Sequence, residues 1–336
     1  MKAAVLKALH EPLVYEEVDQ PLPASGEVLV AVKAASLNHR DVWIQKGLYP
    51  RAYAPAILGS DGAGIISMVG EGVDATHIGK SVIINPGHDW GDAETHYGPG
   101  FTILGLEAWG TFAEYVKVRV DYIADKPAHL SFEQAAALPL AGVTAWRSLM
   151  TRAGLKRGEK VLITGAGGGV ALFAIQFAVA AGAEVWVTSG NEDKIEKAVL
   201  LGAKGGFNYR AENWHREALT RVGAPKSGYF DVIIDSAGGP EFHRLTDLAA
   251  PGGRICFYGG TVGNITNLVP AKVFFKQLSI LGSTMGSPKD FAAMLAFVEE
   301  KKLEPVIDVV LPFEEIRNGM MRMEAGKQFG KIVFVY

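Results

Sequence analysis

Over the first 120 residues the apolar positions come in short β-rich runs cut by Gly and Pro: KAAVL at 2–6, EVLVAVKAAS at 27–36, GAGIISMVG at 62–70, KSVIIN at 80–85 and GTFAEYVKV at 110–118. Runs of this length and make-up predict strands, so the chain opens as a β-rich unit. Between Pro86 and Leu106 the text turns polar and Gly-rich, which predicts a surface lobe or long loop. From about residue 158 the pattern changes. Almost continuously apolar runs, VLIT, VWVT at 185–188, GGFNY at 205–209, DVIIDS at 231–236 and RICFYG at 254–259, alternate with helical patterns at 170–181, 191–201, 211–222 and 240–249. Strands apolar on both faces that alternate with helices predict a doubly wound parallel sheet of the α/β class. A further strand, LSILGSTMG at 278–286, a helix near 288–301 and a last strand, KIVFVY at 331–336, complete the chain, and this tail is expected to return to the first domain.

Composition narrows the class. The 336 residues are 49% hydrophobic and 21% charged, enough for about two packed domains. A net charge of −3 argues against a broad nucleic-acid footprint. Cys256 is the single cysteine, which excludes an intramolecular disulfide and any zinc site built on three or four thiolates of one chain. The N-terminus has no uncharged stretch resembling a secretory signal, so a cytoplasmic protein is expected. Val161 to Ala183 carries no charge over 23 residues, yet GAGGG at 165–169 would break a spanning helix near its start, so no membrane partner is expected.

The glycines point instead to a cofactor. Gly165-Ala166-Gly167-Gly168-Gly169-Val170 follows the VLIT strand and opens an apolar helix. Glycines at such a turn let the backbone approach a pyrophosphate, whose charge rests on the free N–H groups and positive dipole of the helix start. Gly167, Gly168, Gly169 and Val170 are the candidate contacts. The second strand ends at Ser189, where a carboxylate would bind ribose hydroxyls and repel a 2′-phosphate. With Ser189 there, and Lys194 five residues on, the pattern favours NADP(H). Glu192 and Asp193 are expected on the following helix, and Lys194 also reads as an ordinary solvated helix lysine.

ASLNHRDVWIQKGLYP at 35–50, LGSDGAGIISMVGEGV at 58–73, AAALPLAGVTAWRSL at 135–149, the glycine turn and GKIVF at 330–334 together resemble the medium-chain dehydrogenase/reductase superfamily. Within it they are most similar to the zinc-independent quinone oxidoreductases, the branch that includes zeta-crystallin. The resemblance implies a GroES-like β-rich catalytic domain beginning at 1–124, a Rossmann domain at 125–268, and at 269–336 the end of that sheet and the return. In zinc-dependent members the positions of Asn38, Ser60 and Asp61 hold cysteine, histidine and usually glutamate. Amide and hydroxyl oxygens are poor zinc ligands beside thiolate and imidazole, so a zinc-independent enzyme is expected.

The resemblance further implies that Asn38, Tyr49 and Ser60 line the nicotinamide and substrate pocket, that Thr144 meets the nicotinamide ribose or amide, and that Tyr209 lies near the adenosine 2′-phosphate. Hydride transfer to a quinone or α,β-unsaturated carbonyl places negative charge on an oxygen, which hydrogen-bond donors must hold where no metal does. Trp43 stands where some relatives have a second pocket tyrosine. His39 and Arg40 have open roles, with a satisfied surface cation the expectation for Arg40. His88, Asp89, Asp92 and His96, in a lobe without the structural-zinc cysteines, match no standard zinc spacing. Cys256 is expected as a small buried hydrophobe. The partner implied is a small-molecule carbonyl or quinone, and 278–286 is the edge expected to pair in a homodimer. The alternatives are a metal-dependent alcohol or carbonyl dehydrogenase with non-standard ligands, and an NADPH-binding scaffold without turnover.

Overall fold

The computed structural model describes residues 1–224 and 228–336. In chain order the elements are β1 (Lys2–Leu6), β2 (Val14–Glu17), β3 (Glu27–Ser36), α1 (His39–Gln45), β4 (Ala56–Ile57), β5 (Asp61–Val69), β6 (Ser81–Ile84), β7 (Gly87–His88), β8 (Thr102–Ile103), β9 (Tyr115–Arg119), β10 (Ile123–Asp125), α2 (Phe132–Ala137) and α3 (Pro139–Trp146). The middle stretch holds β11 (Lys160–Ile163), α4 (Gly169–Ala180), β12 (Glu184–Ser189), α5 (Glu192–Leu200), β13 (Gly205–Asn208), α6 (Trp214–Arg221), β14 (Phe230–Asp235), α7 (His243–Leu248), β15 (Ala249–Phe257), α8 (Pro270–Lys276) and β16 (Ser279–Gly282). The last elements are α9 (Pro288–Lys301), β17 (Ile307–Pro312), α10 (Ile316–Glu324) and β18 (Lys331–Val335). They form two compact units, Met1–Ala141 with Ser287–Tyr336, and Gly142–Gly286.

The first unit is built on a sheet in the order β10-β6-β5-β3-β18-β17, with β9 also paired to β3, beside a small sheet β2-β1-β4. Strand β18 runs antiparallel to β3 with Val333 opposite Ser36, so the C-terminal strand is central to the sheet that the N-terminal residues begin. Phe112, Phe313 and Phe334 fill its core, all fully buried, with ring centroids 5.9–6.4 Å apart at steep angles. The run GTFAEYVKV is a strand only from Tyr115. Before that, the N–H groups of Gly110, Thr111 and Phe112 donate to the carbonyls of Ile57, Gly59 and Leu58. A Cβ at Gly110 would lie 2.1 Å from the Gly59 carbonyl oxygen, so glycine is what permits this backbone crossing.

The second unit is a six-stranded parallel sheet, β13-β12-β11-β14-β15-β16. Val161, Leu162 and Ile163 of β11 and Val232, Ile233 and Ile234 of β14 are all fully buried, as a sheet covered on both faces requires. The chain order reverses between β11 and β14, the switch point where such sheets take their ligands. Helix α4 follows β11 and is apolar nearly all round, with Leu172, Phe173, Ile175 and Phe177 buried. It is a core helix; among the described residues no helix is long and apolar enough to cross a membrane.

Candidate active site and cofactor turn

In the second unit the turn from β11 to α4 is made by Gly165 at φ 72° and Gly167 at φ 120°. The second value lies where side-chain-bearing residues are rarely found. Gly168 is the N-cap of α4 and supplies no side-chain cap, so the first-turn N–H groups at Gly169 and Val170 are not capped by a side chain. That is the geometry of an anion site at a helix start. Lys194, in the first turn of α5, bends back over the turn: a Cβ at Gly167 would meet its Cδ at 2.8 Å and its Nζ at 3.3 Å. Lys194 is therefore at the glycines rather than on an open helix face, while Glu192 and Asp193 do begin α5, behind an Asn191 N-cap.

Ser189 closes β12, buried, its hydroxyl donating to the Ala166 carbonyl at 3.3 Å and accepting from Asn191 N–H at 3.3 Å. A Cβ on Gly190 would lie 2.8 Å from the Tyr209 hydroxyl and 2.9 Å from Arg210 Nε. Tyr209, Arg210, Ser189 and Lys194 thus surround the end of the second strand and the glycine turn. Arg210 was not singled out from the sequence, although it directly follows Tyr209; a lone arginine after a strand carries no signal until Gly190 is seen beneath it. Asp235 was missed too. It ends β14 at the switch point, accepts from Thr164 Oγ1 at 2.7 Å and Gly238 N–H at 2.8 Å, and burial raises its carboxyl above the usual range. Thr144 is buried earlier in this unit, on α3, its carbonyl accepting from Ser148. Cys256 is fully buried in β15 and burial pushes its thiol up to about 12, which leaves it a hydrophobe.

In the first unit, Asn38 caps α1 between β3 and the buried Asp41, whose carboxylate accepts from the Asn38 N–H at 2.8 Å. The Asn38 amide donates to Asp61 Oδ2 at 2.8 Å and accepts from Lys331 Nζ at 2.7 Å. Lys331 places its other hydrogens on Asp61 Oδ2 at 3.1 Å and the Leu37 carbonyl at 2.8 Å. Both charged groups are almost completely buried, so a lysine from the last strand satisfies an acid from β5 where water cannot. Asp61 Oδ1 also accepts from the Leu140 N–H at 2.8 Å.

Arg40 corrects a sequence expectation, for it is not a surface cation but 6% exposed. Its Nη1 donates to Ser60 Oγ and to the Leu104 carbonyl at 2.9 Å, and its guanidinium lies 4.9 Å from the centroid of the Tyr49 ring. Ser60, fully buried, donates in turn to the same Leu104 carbonyl at 2.8 Å. Through Arg40 the structure brings Tyr49 and Ser60 together, and through Asp61, next in sequence to Ser60, it brings Asn38 to the same place. Burial lifts the Asp41 carboxyl to about 6.

The lobe at 86–106 is held differently. Trp90 is buried against Tyr97 and Phe101, with centroids 5.9 and 5.2 Å away. His88 lies flat on Tyr122 at 4.0 Å, and Asp89 accepts the Tyr122 hydroxyl at 2.8 Å. Among the described residues no three His, Cys, Asp or Glu side chains come together as a metal cluster.

Comparison with known proteins identifies the family. Residues 24–128 match the alcohol dehydrogenase GroES-like domain and residues 169–300 the zinc-binding dehydrogenase domain. A zinc-type alcohol dehydrogenase-like protein of Schizosaccharomyces pombe is 38% identical over 94% of this chain and 92% of its own. The chain belongs to the medium-chain dehydrogenase/reductase superfamily. As a member of that superfamily it is an oxidoreductase with a GroES-like domain and a Rossmann domain. An acryloyl-coenzyme A reductase of Metallosphaera sedula is 32% identical over 99% of both chains. A solved structure described as an NAD-dependent alcohol dehydrogenase superposes with a TM-score of 0.93 at 40% identity, covering all of both chains.

The family name raises the question of zinc, which the donor set answers poorly. Asn38 Oδ1 and Asp61 Oδ2 both accept from the Lys331 ammonium, and Ser60 Oγ accepts from Arg40. Two fixed cations at these oxygens oppose a dication there, and no thiolate or imidazole is offered at these three positions.

Proposed function

We propose that this superfamily member is an NADPH-dependent, zinc-independent reductase that delivers hydride to a quinone or an α,β-unsaturated carbonyl. The observation that supports the reading is that Asn38 and Asp61 accept hydrogen bonds from Lys331 and Ser60 accepts one from Arg40, so the side chains at these three positions face fixed positive charge. Bound reduced nicotinamide supplies the hydride. Gly167, Gly168, Gly169 and Val170 would receive the pyrophosphate at the start of α4, and Ser189, Lys194, Tyr209 and Arg210 the 2′-phosphate, since no carboxylate closes β12 to repel it. Thr144 is assigned to the nicotinamide end, and Asn38, Tyr49 and Ser60 to the substrate pocket. The acryloyl-coenzyme A reductase relative supports a conjugated C=C–C=O acceptor. A cytoplasmic homodimer, joined at the β16 edge, completes the reading.

The test is oxidation of NADPH by a reactive quinone and by a simple enone in the presence of a metal chelator. Turnover that survives chelation, faster with NADPH than NADH, is the expected result; activity that is lost on chelation and restored by zinc would overturn it. A second reading is favoured by one finding. The 40% identical solved structure is described as an NAD-dependent alcohol dehydrogenase, and that reading predicts alcohol oxidation with NAD and stoichiometric zinc in the purified protein. Tight NADPH binding with no turnover on either panel would instead point to a scaffold.

A further inference from the structure

We propose that the Arg40 guanidinium receives the negative charge that develops on the substrate's carbonyl oxygen, making Arg40 a catalytic residue and Ser60 the group that positions it. The inference rests on hydride transfer to an unsaturated carbonyl as proposed above. Arg40 is a nearly enclosed cation with no carboxylate oxygen within ion-pair distance among the described residues. The carboxylate next to it in sequence, Asp41, feels its charge but makes its hydrogen bonds to the N–H groups of Asn38 and Gly59, not to the guanidinium. Desolvating a guanidinium without a direct counter-ion is costly, so a fold that keeps one needs a reason.

The donor inventory gives the reason. A guanidinium has five N–H donors and no acceptor. Among the described residues only Nη1 is engaged, with Ser60 Oγ and the Leu104 carbonyl, while Nε is enclosed with no partner there. Nη2 makes no hydrogen bond among the described residues and, unlike Nε, is not completely enclosed, which leaves it as the donor the proposal assigns to a ligand. Tyr49 supports one face of the group at 4.9 Å, and the two Nη1 bonds fix its plane. Ser60 cannot take the same part in this arrangement. Its oxygen accepts from Arg40, which can only donate, and its single proton goes to the Leu104 carbonyl.

The chemistry requires such a group. When hydride adds to the β-carbon, a C–H bond forms there, the C=C pair shifts to the α-carbon and carbonyl carbon, and the C=O pair moves onto oxygen as an enolate. The nicotinamide is oxidised, the enone is reduced, and a solvent proton then adds at the α-carbon. A preorganised cation aimed at that oxygen in a water-poor site lowers the barrier to the first step.

Three proteins, Arg40→Met, Arg40→Lys and Ser60→Ala, test the assignment. Removing the charge is expected to lower kcat about 100-fold, with lysine restoring roughly tenfold and Ser60→Ala costing less than about tenfold, the scale set by loss of one oxyanion donor. NADPH affinity, measured separately by fluorescence titration, should change by less than about twofold, which distinguishes a chemical loss from a damaged fold. A second readout needs no turnover: with NADP+ present, the wild type should bind 4-nitrophenolate at least about tenfold more tightly than the neutral phenol, and Arg40→Met should lose that preference. A kcat for Arg40→Met within about threefold of wild type, or no preference for the phenolate in the wild type, would overturn the proposal. Failure of the wild type to turn over every quinone and enone would defeat the function proposed above, and the phenolate titration would show separately whether Arg40 is an anion site.

Discussion

Asp41 and Lys331 show how single buried charges set measurable properties of this protein. The Asp41 carboxyl is raised to about 6 by burial, so the folded state binds its proton more tightly than the unfolded chain does. A carboxyl raised in this way costs stability at neutral pH, and the cost is relieved as pH falls from about 6 toward 4, by on the order of 2–3 kcal/mol in full. Asp41→Asn should therefore flatten the stability profile in that window: thermal melts of the two proteins at pH 7 and pH 5 should show the wild type gaining relative to the variant on acidification. Parallel profiles would show that Asp41 does not titrate there. Lys331 presents the opposite case, a buried ammonium whose removal leaves Asp61 charged and enclosed without its cation. Lys331→Met is expected to destabilise by roughly 3–5 kcal/mol, with Asp61→Asn added in the same chain recovering part of it, as urea midpoints would report.

At the scale of elements, much was readable and the exceptions are instructive. The runs at 2–6 and 27–36 are strands over those same residues, and 288–301 is α9, whose start is marked by Ser287, Pro288 and Asp290, a complete capping box. The parallel sheet was readable because strands buried on both faces are apolar throughout, a signal independent of what packs on them. Helix α1 was not read, although Asn38 with Asp41 three residues on marks its start, because seven residues around His, Arg and Asp have no apolar stripe. With it went the burial of Arg40, which depends on Tyr49, Ser60 and Leu104, residues brought to it by tertiary structure rather than by local pattern. The lobe at 86–106 was readable only as polar. Its own core of Trp90, Tyr97 and Phe101 makes a prediction at this scale: Trp90→Ala should cost on the order of 3 kcal/mol locally, seen as lost amide-exchange protection across residues 87–104 while β11 and β14 keep theirs.

At the scale of the whole molecule the open question is how the parallel sheet ends. Strand β13 closes one side and β16 the other, and β16 is short, with Ile280 and Leu281 only partly covered. Just before it in sequence, on α8, the same unit exposes Phe274 and Phe275, the last at 80%. A free strand edge next to exposed aromatic side chains is a place where chains associate without control, and a two-fold pairing of β16 with its copy would satisfy the edge and cover the rings at once. A two-fold contact is self-complementary, so one substitution acts on both sides of it. Sedimentation should give a species of about twice 35.9 kDa for the wild type, and Leu281→Lys, which sets like charges against each other across the axis, should shift it toward the single-chain mass. If instead the wild type sediments as a single chain, the edge is left to solvent, and Phe274 and Phe275 would have to be covered by something other than a second copy.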